Sequence, residues 1–227
     1  MLHRLADNVW HITHEFKSMG LSVVSRMTVV RCAGGALWLH SPVPITPALQ
    51  QALDALGTVR WIVAPNCAHH LFAGPAQAVY PQALLYGAPG LRAKRPDLTT
   101  LQDLPNADAT PWLADLDQVF VAGMPLVNET VWLHRASGTV IVTDLCMWFR
   151  QPSSWSMRLY GRLNGTLKGL AVSRLVRLLT RDRAAAAASC QHIVQWPIQR
   201  VVVAHDCVLE DDAKGQLERA LAWFAGR

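Results

Sequence analysis

Two hydrophobic rhythms alternate along the chain, one with period two and one with apolar residues three and four apart. DNVWHITHEF reads as an opening strand, and RMTVVRCAGGALWLHSP as two strands joined at Gly34-Gly35, a hairpin signal. Thr46-Pro47 then has the form of a helix N-cap followed by proline at the first helical position. The helix it predicts, ALQQALDAL, puts Leu49, Ala52, Leu53 and Leu56 on one face and stops at Gly57. VRWIVAP is apolar without alternation, as in a strand buried on both faces. NCAHHLFAGPAQAVYPQ is a loop running into a short helix, and ALLYGAPG a further strand and turn.

Residues 93–116 are polar, carry proline and lack a period, so they read as a connection between two halves. QVFVAG, ETVWLHRA and GTVIVTDL give three strands, with a Ser137-Gly138 turn between the last two. Residues 152–195 are largely helical in pattern, Arg200–Ala204 a last strand, and Asp211–Phe224 a helix that turns Leu217, Ala220, Leu221 and Phe224 inward. Strands and helix followed by strands and helix suit two packed sheets with helices outside, an α/β protein with one domain over residues 1–227.

Composition narrows the class. A chain of 227 residues with 51% hydrophobic content can bury a full core, and 16% charged residues is too few for broad disorder. No apolar run reaches the ~20 residues of a membrane span. The N-terminus lacks the apolar stretch of a secretory signal, which points to the cytoplasm. Five cysteines without a CxxC pair read as reduced thiols. The net charge of +5 is local: between Arg150 and Arg183 eight basic residues stand against Asp182 alone, so the rest of the chain is slightly acidic.

Chemistry-bearing residues follow the most apolar strands. Asn66-Cys67-Ala68-His69-His70 comes after VRWIVAP, Asp144 after GTVIVT and His205 after RVVVA. Strand ends are where α/β folds gather polar functional groups. A lone histidine there is most often only hydrogen-bonded, and Asp144 alone could be a cap. Together, imidazoles and a carboxylate make a plausible zinc shell. Neighbouring residues of a straight strand face opposite ways, so His69 and His70 can share a metal only if the chain turns between them. Cys67, Cys146 and Cys207 lie near these positions. Packing is the ordinary role of a free cysteine, and Cys67 is the one additional ligand considered.

These blocks resemble the metallo-β-lactamase superfamily, and more closely a bacterial branch of it with no assigned function. LADNVWHI is similar to the superfamily's opening strand. RMTVVRCAGGALWLHSPVPIT, VRWIVAPNCAHHLF, VYPQALLYGAPGLRAKRPDL and VVVAHDCVLEDDAKGQLERALAWF are similar to the branch's own blocks. The resemblance implies an αββα four-layer sandwich. It also implies a signature, HxHxDH, then a lone His, a bridging Asp and a last His, that is only partly met. Pro65 and Cys67 stand at its first two histidines, His69 at its Asp, His70 at its final His, and Met124 at the lone His. Asp144 matches the bridging Asp and His205 the last His. The first metal's ligands are therefore gone unless Cys67 substitutes. His69, His70, Asp144 and His205 remain as a mononuclear version of the second site.

The expected cofactor is one divalent metal, zinc first and iron or manganese as the other candidates, with a metal-free chain as the alternative. The function expected is a metal-dependent hydrolase acting on a small molecule, an anionic one if the basic segment draws it in, with Asp144 as both ligand and catalytic base. The alternatives are a non-catalytic binding protein of the same fold and a redox or metal sensor working through Cys67. The basic segment carries apolar residues at 155, 159, 163, 167, 170 and 175, and Gly161, Gly165 and Gly169 at a spacing that would line one helix face. It reads first as a helical insertion with a solvated basic face. Arg158 and Arg162 drawing in an anionic substrate is the second reading and membrane-surface binding the third. No stacking-aromatic motif or recognition helix points to nucleic acid.

Overall fold

The computed structural model describes residues 1–18 and 20–226. Contacts group the chain into two compact units, Met1–His14 with Arg26–Leu116 and Glu15–Ser25 with Asp117–Arg227. The chain passes from the first to the second within β2, returns within β3 and passes over again after Leu116.

The first sheet has seven strands in sequential order: β1 (His3–Ala6), β2 (Val9–Ser18), β3 (Leu21–Arg31), β4 (Ala36–His40), β5 (Thr58–Ala64), β6 (Leu84–Gly87) and β7 (Gln102–Asp103). β3 and β4 form the expected antiparallel hairpin, turning through Gly34 and Gly35 at φ 72° and 79°. From β4 to β7 the strands are parallel, as helical crossovers require. Those crossovers are α1 (Pro47–Asp54), α2 (Ala73–Val79) and α3 (Leu91–Lys94). The Thr46 side chain accepts from Leu49 N at 3.2 Å and caps α1 as predicted. Thr46→Ala should cost about 1 kcal/mol, read as a shift in the urea midpoint at unchanged slope. Gly57 does not end α1 by a left-handed turn. It is glycine because a Cβ there would lie 2.1 Å from the Gly35 carbonyl oxygen.

The pleat divides this unit's core. Leu37, Leu39, Ile62, Ala64 and Leu85 meet Leu49, Leu53, Ala73, Ala76 and Leu91 of the helices. Trp38 lies on the opposite face of the sheet, where Trp112 packs edge-on to Trp38, Trp61 and Tyr86 with centroids 5.4–6.0 Å apart. Trp112 lies in the segment read from sequence as a loose connection and is fully buried.

The second unit holds a five-stranded sheet in the order β12-β11-β10-β9-β8. Its strands are β8 (Leu116–Phe120), β9 (Thr130–His134), β10 (Thr139–Val142), β11 (Arg200–Val203) and β12 (Val208–Leu209). The helices are α4 (Trp155–Asn164), α5 (Arg174–Leu179), α6 (Arg183–Val194) and α7 (Ala213–Leu221). Val131, Leu133, Val140, Val142, Val201 and Val203 pack with Ile193, Leu217, Leu221 and Phe224 in one core. The glycine spacing of the basic segment does not survive as a stripe. Gly161 sits inside α4 against Leu167, Gly165 ends α4 at φ 75°, and Gly169 lies outside any helix.

Candidate functional site

In the first unit the loop after β5 is built by Asn66. Its buried Oδ1 accepts from Ala68 N at 2.8 Å and His69 N at 2.7 Å, folding residues 66–70 into a turn in place of an extended strand. The turn lets the two histidines part company. His69 Nδ1 meets the Ser41 hydroxyl at 2.7 Å. Ser41 follows β4 in a left-handed conformation, φ 53°. His70 Nδ1 instead accepts from Arg95 Nη1 at 2.9 Å. Burial, then Lys94, Arg95 and His69, bring the His70 pKa down to about 4. The ring is therefore neutral at pH 7. With Nδ1 taken as an acceptor it carries its proton on Nε2, so neither nitrogen offers a lone pair.

The nearby cysteine is a thiol in this setting. Burial raises the Cys67 pKa against the pull of Lys94, and its Sγ donates to Pro89 O at 3.7 Å. Cys146 is fully buried with its pKa pushed well up by burial, and Cys207 donates to Trp148 O at 3.5 Å. Met124, at the position of the superfamily's lone histidine, is a core residue.

In the second unit, β10 and β11 run parallel in register, with Val142 beside Val203. Two residues beyond each lie Asp144 and His205, so the register brings both side chains to one sheet end. His205 Nε2 is 3.3 Å from Asp144 Oδ1. His205 Nδ1–H donates to Val24 O at 2.7 Å, and Phe149 stacks on the ring at 6.3 Å. A carbonyl oxygen only accepts, so the proton is on Nδ1 and the Nε2 lone pair faces a carboxylate oxygen. Two acceptors face each other unless a cation stands between them, either a proton or a metal ion. Burial alone would depress the His205 pKa. The hydrogen bond and charge of Asp144, the Val24 carbonyl and the Glu129 charge outweigh it and raise the pKa.

Asp144 is itself held by a residue that the sequence reading passed over. Glu129, fully buried just before β9, accepts from Thr143 N at 2.7 Å on Oε1, and from Asp144 N at 2.7 Å and Leu145 N at 2.8 Å on Oε2. Burial and the Asp144 charge push its pKa up, while the Thr143 and Asp144 hydrogen bonds pull the other way. An acid opening an otherwise apolar strand was the one available signal. Arg158 and Arg162, assigned from sequence to substrate binding, are on the exposed side of α4.

The whole chain superposes on solved metallo-β-lactamases. The enzyme from Pontibacter korlensis matches with TM-score 0.67 at 14% identity, covering 100% of this chain and 99% of that one. The enzyme from Erythrobacter litoralis gives 0.66 at 15%, over 98% and 96%. FIM-1 from Pseudomonas aeruginosa, in its mono-zinc form, gives 0.65 at 14%, over 98% and 95%. The fold is thus the mixed α/β, two-sheet metallo-β-lactamase fold, the αββα class expected from the sequence. Residues 6–159 match the family described as Domain of unknown function (DUF4336), and the chain belongs to that family. A search of curated proteins found no matching sequence.

Proposed function

We propose that this chain is a metal-dependent hydrolase whose Asp144–His205 pair holds one divalent ion, with His69, which the sequence signature puts among the ligands, as the third. The observation that carries the reading is the Asp144–His205 pair, whose facing acceptors at 3.3 Å ask for a cation. For His69, an Nδ1–H donated to Ser41 would put the ring's lone pair on Nε2, the usual tautomer logic of ligating histidines. His70 drops out of the set expected from sequence, because Arg95 occupies its acceptor nitrogen. Two imidazoles and a carboxylate suit zinc and leave a fourth position open, the pattern of catalytic rather than closed structural sites. A bound divalent ion would act as a Lewis acid and bring the pKa of a water toward ~7. Asp144 is the only carboxylate of the set, so proton acceptance falls to it. Cys67 is left out because its Sγ is directed to the Pro89 carbonyl. The mono-zinc form of FIM-1 is a precedent for one zinc in this fold.

Met124 and Pro65 supply no ligand for a second metal, and this favours a second reading, a binding protein of the same fold without catalysis. Hydrolysis of esters, thioesters, lactones and phosphodiesters by the purified, the chelated and the zinc-restored protein separates the two. The hydrolase reading expects turnover of at least one class, lost on chelation and recovered with zinc. A zinc-loaded protein inert on all four classes would favour the binding reading.

A further inference from the structure

Amphipathic helices of soluble proteins turn their apolar side inward. α4 does so only in part. Met157 and Gly161 are its buried residues, while Trp155, Leu159 and Leu163 repeat every four residues and are exposed. At ~100° per residue the two sets lie about 180° apart. Trp155 is 78% exposed and Leu163 60%, so this is no partly covered core edge. α5 continues the pattern, burying Val176 and exposing Leu175 and, at 81%, Leu178. Its start is tied to the end of α4. Arg174 Nη1 donates to Leu163 O at 3.2 Å, and Leu175 N donates to Asn164 Oδ1 at 3.1 Å.

Charge singles out what this surface fits. Arg158 and Arg162 flank the apolar stripe of α4, and Arg150, Lys168, Arg174, Arg181 and Arg183 are also exposed in the segment. Asp182 is its one acid. Exposed tryptophan and leucines between arginines are the signature of a helix lying in the interface of an anionic bilayer, apolar side among the acyl chains and guanidinium groups at the lipid phosphates. No described helix is long and apolar enough to cross a membrane, so the mode is surface binding.

We propose that α4 and α5 form a docking surface for anionic lipid headgroups. The inference is independent of the metal reading. The sequence pattern alone ranked this third, because it shows which residues share a helix side but not which side is buried.

The test is flotation of the full-length protein with neutral phosphatidylcholine vesicles and with vesicles containing 30% anionic phosphatidylglycerol (about a third). The expected result is binding to the anionic vesicles only, weakening as salt rises. Trp155→Ser with Leu159→Ser, and separately Arg158→Glu with Arg162→Glu, should each lower the partition coefficient about tenfold or more. Unchanged circular dichroism is expected, since all four side chains are exposed. Absence of binding to anionic vesicles at low salt would overturn the proposal, as would binding that both double variants retain. Self-association in sedimentation that the serine variant abolishes, without vesicle binding, would also overturn it and assign the face to a second copy of the chain.

Discussion

Glu129→Ala is expected to remove about 3 kcal/mol or more of folding stability, out of the roughly 5–15 kcal/mol that a typical domain has. The carboxylate is the acceptor for three successive backbone N–H groups, those of Thr143, Asp144 and Leu145. Alanine offers no acceptor, and at this buried site a stranded donor costs about 1–3 kcal/mol. Glu129→Gln keeps the shape and one acceptor oxygen, so a smaller loss is expected. Urea unfolding at constant slope measures both. An alanine variant within about 0.5 kcal/mol of the parent would mean that the 143–145 turn does not depend on Glu129. The glutamine variant should also bind zinc more weakly although residue 129 is not a ligand, because it sets where the Asp144 backbone lies. Loss of an outer partner of this kind costs on the order of 10–100-fold in metal affinity.

The second large effect is expected at Asp144. Asp144→Asn preserves side-chain shape but removes the negative charge that faces His205 Nε2. If turnover is found, its rate should fall on the order of 10²-fold or more, the usual size of a general-base contribution. Zinc affinity should fall as well, and its pH dependence should change. In the parent, zinc must displace the proton that the raised His205 pKa favours, so uptake weakens as pH falls through that pKa. With Asp144 gone the His205 pKa drops and the transition moves to lower pH. Equal rates for the two proteins would remove Asp144 from the mechanism.

Much of this was readable from residue order. The apolar segments VRWIVAP, GTVIVT and RVVVA announced strands whose ends carry His69, Asp144 and His205. The N-cap at Thr46, the Gly34-Gly35 turn and the inward side of α7 follow from local chemistry alone. What was hidden depends on neighbours distant in sequence. Gly57 is glycine because of the Gly35 carbonyl, and Arg95, 25 positions on, decides what His70 can do. Glu129 was passed over as the first residue of the ETVWLHRA strand, since nothing near it in sequence shows that three amides of another loop converge there. The outward-facing leucines of α4 were hidden for a related reason: periodicity defines a side, and only packing says which side is inside.

Zinc content per chain, measured by elemental analysis after equilibrium dialysis of parent, His69→Ala, His205→Ala and Cys67→Ser proteins, tests the proposed metal set most directly. One equivalent is expected in the parent and in Cys67→Ser, with loss in both histidine variants. A parent that takes up no zinc, one that takes up two equivalents, or histidine variants that keep a full equivalent would contradict a single ion held by His69, Asp144 and His205.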